Sequence, residues 1–255
     1  DDDAEVMREW TPLTRKKFYA IIGVLIFMGT LSSGEYESYW QSRSCADRDG
    51  RAYSGSPFVS EESGVTQKEF QQFVRFCHFT DNSQAPDPEQ PGYDKAWKVR
   101  PLLDLFLTAC ARGWTAATQV SIDEMMIAYK GRCSWRQYMP DKPNKWGLKL
   151  WGLCTAKEGY LMAFDLYTGK SGDDDDVGRG LATEVVLGLL KVIAAHQTLN
   201  GLHVYMDNYY SSPLLFYILA TMSVLACGTM RTNRKSWPKQ VRRERETARA
   251  RARAR

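Results

Sequence analysis

The six cysteines include no C-x-x-C pair, and the three histidines have no metal-ligand spacing. That scatter argues against a zinc module or a disulfide framework and implies reduced, mostly packed thiols in an intracellular protein. Long apolar runs are lacking too. The longest, Phe18 to Leu31, has 14 residues, short of the roughly 18 a membrane span needs. Lys16, Lys17 and Glu35 flank it closely, so no membrane association is expected. No charged-then-apolar leader opens the chain. It begins Asp1-Asp2-Asp3 without methionine, as expected of a piece of a longer protein.

Charge is unevenly spread. The formal net charge is +4, yet residues 231–255 alone hold eleven Lys or Arg and two Glu, which leaves the first 230 residues at −5. The basic character lives in the tail, so the pI says nothing of a nucleic-acid surface in the body. The tail ends in the low-complexity run Ala248 to Arg255. It is expected to be disordered alone and to bind nucleic acid nonspecifically through its arginines.

What is present can build a core: 44% apolar residues, with 8 Trp, 13 Tyr and 10 Phe. Thr11-Pro12 opens a helix to about Leu31, apolar all round and therefore expected to be buried. Residues 50–64 are rich in Ser, Gly and Pro and are expected as loop. Thr66 and Glu69 form a capping box ahead of a second helix carrying Phe70, Phe73, Val74 and Cys77. A third helix over about Lys98 to Arg112 is expected to bury Leu102, Leu103, Leu105, Phe106 and Ala109. After Thr115 the spacing turns to period two. Three strands follow, the last two joined by a Lys157-Glu158-Gly159 turn. Then come helix, strand, helix and strand, through LATEVVLGLLKVIAAH, LHVYMDN, the Ser212-Pro213 start and LACGTM. This order is that of a ribonuclease H-like α/β domain, a mixed sheet flanked by helices, preceded by helices. The expected organisation is a helical portion over 1–117, the α/β domain over 118–230 and the tail over 231–255.

Asp123 and Asp207 stand at ends of predicted strands. In such a sheet the first and fourth strands are neighbours, so these carboxylates can share metal ions despite lying 84 positions apart. Mg²⁺ takes hard oxygen ligands, and an ion pair can activate a water and stabilise a departing phosphodiester oxygen. Asp207-Asn208 before Ser-Ser-Pro is equally a turn and helix cap, and that reading stays open on pattern alone. Asp173 to Asp176 is a decoy: four consecutive carboxylates cannot all face one ion. Lys130, Arg132, Lys142 and Lys145 can contact phosphates or simply solvate a hairpin. Arg136 can pair with an acidic neighbour. Trp135, Trp146 and Trp151 are expected to pack on the sheet rather than stack on bases. Cys154 and Cys227 are expected as small core residues.

The segment SIDEMMIAYKGRCSWRQYMPDKPNKWGLKLW, Ser121 to Trp151, resembles the start of the piggyBac transposase catalytic domain. That family has Asp-Glu on its first strand, then Lys or Arg-Gly-Arg, then Tyr-x-Pro-x-Lys-Pro-x-Lys-x-Gly. GYLMAFDLYTG, VYMDNYYSS and CGTMRTNRKSWP are similar to its later blocks, in order. FYAIIGVLIFMGTL and VRFCHFTDN resemble its helical region. The resemblance implies cut-and-paste DNA transposition with Mg²⁺ or Mn²⁺, TTAA-type targets, DNA transposon ends as partner, a homodimer and a nuclear location. It matches Asp123 and Asp207 to the first two catalytic aspartates, and Arg231, Arg234 and Lys235 to a DNA-side basic block. The family's third aspartate follows a Gly-Gly-Val-Asp-like motif, which does not occur after Lys235. The chain alone is therefore expected not to cleave DNA. Two readings follow: a metal-dependent transposase domain, or a domesticated derivative that binds DNA without chemistry.

Overall fold

The computed structural model describes residues 12–32, 36–40, 45–47, 52–53, 58–115, 118–169 and 179–231. Two compact units divide the chain, residues 1–78 and 79–255.

The first unit contains α1 (Arg15–Thr30), three short antiparallel strands β1 (Leu31–Ser32), β2 (Cys45–Asp47) and β3 (Ala52–Tyr53), then α2 (Phe58–Ser63) and α3 (Gln67–Phe76). Strand β3 and all of α2 fall in the stretch 50–64 whose composition reads as loop. The expected capping box is formed: Glu69 N donates to Thr66 Oγ1 at 3.2 Å, and Thr66 N donates to Glu69 Oε2 at 2.8 Å. Ile21 and Val24 of α1 are buried with Val59, Val65, Phe70 and Phe73. The rest of α1 departs from expectation. Tyr19 and Ile26 are 57% and 65% exposed. Val74 likewise faces outward, 57% exposed.

The second unit is built on a sheet. Its elements are α4 (Arg100–Gly113), β4 (Gln119–Ala128), β5 (Gln137–Tyr138), β6 (Trp146–Thr155), β7 (Leu161–Leu166), α5 (Leu181–Ala194), β8 (His203–Met206), α6 (Pro213–Thr221) and β9 (Leu225–Gly228). The strands run β9–β8–β4–β6, with β7 and the two-residue β5 both paired to the far edge of β6. Pairings β4–β6 and β6–β7 are antiparallel, and β4–β8 and β8–β9 are parallel. Parallel neighbours need crossovers, which α5 and α6 supply. This is the ribonuclease H-like order expected from the sequence.

Alternation assigns the faces. Val120, Ile122, Leu153 and Val204, none more than 2% exposed, meet the apolar sides of α5 and α6. On the opposite face Leu150, Phe164 and Leu166 meet Leu103 and Leu107 of α4. The buried stripe of α4 is thus Leu103, Leu107, Cys110 and Ala111, spaced i, i+4, i+7, i+8. Leu102, Leu105 and Phe106, expected inside, are 41%, 69% and 55% exposed. Packing on β7 places α4 in the same compact unit as the sheet, residues 79–255. Cys227, expected in the core, is exposed on edge strand β9, and Cys154 is half-buried. No described helix is long and apolar enough to cross a membrane.

Two glycines test the register. A Cβ on Gly147 would lie 2.2 Å from the backbone oxygen of Ile127, whereas one on Gly188, inside α5, would meet nothing within 4 Å. Gly147→Ala is expected to lose about 1–3 kcal/mol of stability, and Gly188→Ala to gain about 0.5–1 kcal/mol. Thermal denaturation reads both; the opposite order would show that β4 and β6 are misaligned.

Candidate functional site

Asp123 lies midway along β4, and Asp207 directly follows the last residue of β8. In the parallel ladder Ile122 stands opposite Met206. One residue further brings Asp123 level with Asp207, on strands about 4.8 Å apart. Both are exposed, while Val120, Ile122, Val204 and Met206 between them in the alternation are buried. The carboxylates therefore project from the face opposite α5 and α6. Their charges converge on one buried group: burial first, then Glu124, Asp123 and Asp207, push the Tyr210 hydroxyl far above the ordinary phenol range.

Each aspartate is held by backbone. Asp123 Oδ1 accepts from Glu124 N at 2.7 Å, and Asp207 Oδ1 accepts from Tyr209 N at 2.8 Å. Ser211 Oγ donates to Asp207 O at 2.8 Å, and Ser212 Oγ caps α6 by accepting from Leu215 N at 3.1 Å. The turn-and-cap reading of this segment is thus fulfilled together with the carboxylate placement, because the Asx turn fixes the side chain it uses. Gly228 lets β9 approach: a Cβ there would lie 2.3 Å from Ser211 Oγ and 2.4 Å from Met206 O.

Beneath the pair, on the other face of β4, Glu124 forms a 3.1 Å ion pair with Lys149, their side chains 16% and 15% exposed. Lys149 Nζ also stands 5.3, 5.6 and 5.4 Å from the ring centroids of Trp151, Tyr167 and Tyr209. One ammonium thereby joins β4, β6, the end of β7 and the Asp207 turn, through ion-pair and cation–π attraction. Sequence reasoning missed Lys149. Its only signal was a lysine at an inward position of an otherwise apolar strand.

The predicted basic residues separate into three groups. Lys130, Arg132 and Lys145 are exposed where β4 ends and β6 begins. Lys142 is half-buried and donates to Glu124 O at 2.8 Å, and Arg231 Nε donates to Asn208 Oδ1 at 2.8 Å, beside Asp207. Arg234, Lys235, Asp173 to Asp176 and the tail lie outside the described residues. Arg136 differs from expectation: its Nη1 donates to the carbonyls of Lys130 and Gly131, both at 3.3 Å. Trp135 and Trp151 pack on the sheet as expected, while Trp146 is 51% exposed.

Two hard carboxylates on an open sheet face suit Mg²⁺ or Mn²⁺, which keep water and phosphate oxygens in their remaining positions. Among the described residues no three His, Cys, Asp or Glu side chains form a metal-holding group. The donors fit one ion and do not complete a site for two.

Sheet order defines a ribonuclease H-like class of domain, with two carboxylates level on its central strands. The model of the Transposase IS4 family matches residues 2–255, and the chain belongs to this family, as a transposase domain of piggyBac type. It is 26% identical over 220 residues to the human PiggyBac transposable element-derived protein 3, covering 86% of this chain and 34% of the relative. With the human PiggyBac transposable element-derived protein 2 it shares 25% identity over 223 residues, 87% of this chain and 35% of the relative. The chain thus spans about a third of these relatives. A cryo-EM structure of a piggyBac transposase synaptic complex with hairpin DNA superposes with a TM-score of 0.71 at 22% identity, covering 94% of this chain and 48% of that one. That likeness establishes the fold.

Removing the Lys149 charge strands Glu124 in a half-closed environment. Lys149→Met is expected to cost on the order of 3 kcal/mol, and adding Glu124→Gln to recover much of it. Denaturant unfolding of the four proteins in the cycle measures the coupling; purely additive losses would show that the pair does not interact.

Proposed function

We propose that this domain acts in metal-dependent cleavage and joining of DNA strands, with Asp123 and Asp207 holding Mg²⁺ or Mn²⁺. The observation that carries the reading is the ladder β4–β8, which sets the two carboxylates level on adjacent strands. A bound ion would supply Lewis-acid polarisation at a phosphodiester. The chain's own part is positional: backbone amides orient both aspartates, the Lys149–Glu124 pair stiffens the strand behind them, and Arg231 stands beside Asn208 for an approaching phosphate. Lys130, Arg132, Lys145, Arg234 and Lys235 extend the cationic contact along DNA, which fixes position without reading sequence. Transposon ends and TTAA-type targets, a homodimer formed through the helical portion over 1–117, and action in the nucleus complete the reading. They rest on membership of the piggyBac type. A DNA-binding derivative without chemistry is the second reading, favoured by relatives described as transposable element-derived.

Mn²⁺ is expected to raise the melting temperature of the wild-type chain by on the order of 5 °C near saturation. Asp123→Asn and Asp207→Asn should abolish the rise without lowering the metal-free melting temperature, since both side chains are exposed. An equal rise in either variant would place the ion elsewhere.

Two carboxylates are expected to bind an ion without sustaining cleavage, because two-metal chemistry needs ligands for both ions. A duplex bearing the matching transposon end should stay intact with this polypeptide and Mn²⁺; nicking that vanishes in Asp123→Ala would overturn this. Deleting Val241 to Arg255 is expected to weaken DNA binding and flatten its salt dependence. An unchanged slope in a salt titration would remove the tail from the interface.

A further inference from the structure

Where β4 ends, three aromatic residues take neighbouring register positions in a row across three strands. Tyr138 is opposite Trp146 in the β5–β6 ladder, and Tyr129 N donates to Trp146 O at 3.4 Å, one step beyond the paired residues Ala128 and Gly147. Tyr129, Trp146 and Tyr138 are 38%, 51% and 52% exposed. Alternation from Asp123 through Met125 and Ile127 to Tyr129 places this row on the carboxylate face. Six residues at about 3.3 Å each put it roughly 20 Å from Asp123, about six nucleotide steps along a DNA strand.

A hairpin clasp would explain only part of this. The Tyr138 and Trp146 centroids are 4.8 Å apart at 44°, which does pin the two-residue β5 to β6. A clasp alone, however, needs neither three half-exposed rings nor the charge around them. Residues 129–146 contain five Lys or Arg and a single acidic residue, Asp141, in a body whose first 230 residues sum to −5. One of those cations, Arg136, stands 4.7 Å above the Trp146 ring. Lys130, Arg132 and Lys145, next to these rings along the chain, are all exposed.

Half-exposed rings in a basic segment, whose cations can neutralise phosphates, suit a nucleic-acid strand whose bases are unpaired. A fully paired duplex hides its base faces within its own stack and gains nothing from such a platform. We infer that Tyr129, Trp146 and Tyr138 form a stacking platform for unpaired bases of a DNA strand running toward Asp123 and Asp207. The inference rests on the DNA reading above and adds the state of the DNA that this surface selects.

The test uses the full 255-residue chain, a fluorescent blunt duplex and the same duplex extended by a short unpaired tract. By anisotropy the extended DNA is expected to bind about tenfold more tightly. Trp146→Ala and Tyr138→Ala should each lose most of that preference while keeping blunt-duplex affinity, and Trp146→Phe should retain it. A 2-aminopurine in the unpaired tract should be quenched on binding the wild-type chain, which reports stacking even where an alanine variant fails to fold. Equal binding of the two DNAs, or no quenching, overturns the platform and leaves the DNA reading standing. Binding of neither DNA overturns both. Displacement of the extended DNA by polyglutamate as readily as by unpaired DNA would reduce the surface to its charge and overturn the platform.

Discussion

Strands that lie side by side in parallel cannot be joined by a tight turn, so β4 and β8 meet only after β6, β7 and α5 have been made between them. Every feature of the carboxylate site depends on that late, long-range pairing. Burial enforces it: Val120, Ile122, Val204 and Met206 turn one way into the helices, which leaves Asp123 and Asp207 turned the other way. Because side chains alternate strictly, a slip of one position would exchange core for carboxylate along the whole strand. The large cost of exposing the apolar set is therefore also what guarantees the placement of the charged one. Pairing of this kind is slow to find, since loop-closure entropy is spent before the contacts form.

Charge is handled differently on the two faces of β4. Asp123 and Asp207 stay at the surface, where solvent screens their mutual repulsion. Glu124, one residue from Asp123 and on the enclosed side, has a cation and three aromatic rings around that cation. A lone carboxylate there would be expensive to desolvate. Lys149 removes that penalty and at the same time links the Asp207 turn to the central strands. Lys142, donating to Glu124 O from the hairpin side, adds a second tether at the same point.

Much of the sheet was legible because its strands obey a strict period of two and its crossover helices are strongly apolar. Asp207 was legible from its strand end and both aspartates from resemblance, although Asp123 sits mid-strand rather than at the predicted end, and Thr66 with Glu69 were legible from local chemistry alone. The misses share a cause. Tyr19 and Ile26 on α1, Leu105 and Phe106 on α4, and Cys227 on β9 were assigned by the character of each residue, whereas exposure is decided by whether another element covers it. Strands β1, β2, β3 and β5 span two or three residues each, too few for periodicity to register. Lys149 escaped because an ion pair 25 positions apart leaves no local trace.

The register of β4 on β8 also bears on heritable variation. Between the two aspartates lie 83 residues, and a length change in a connection such as that between β7 and α5 leaves both carboxylates where they are. Loop closure makes such insertions inexpensive, since each doubling of loop length costs only about 0.6 kcal/mol. A single codon gained or lost inside residues 119–123 or 203–207 has no such latitude, because it would turn one carboxylate toward α5 and α6. Descendants of this gene can therefore drift in length through their loops, while these two five-residue tracts tolerate substitution but not frame-preserving indels.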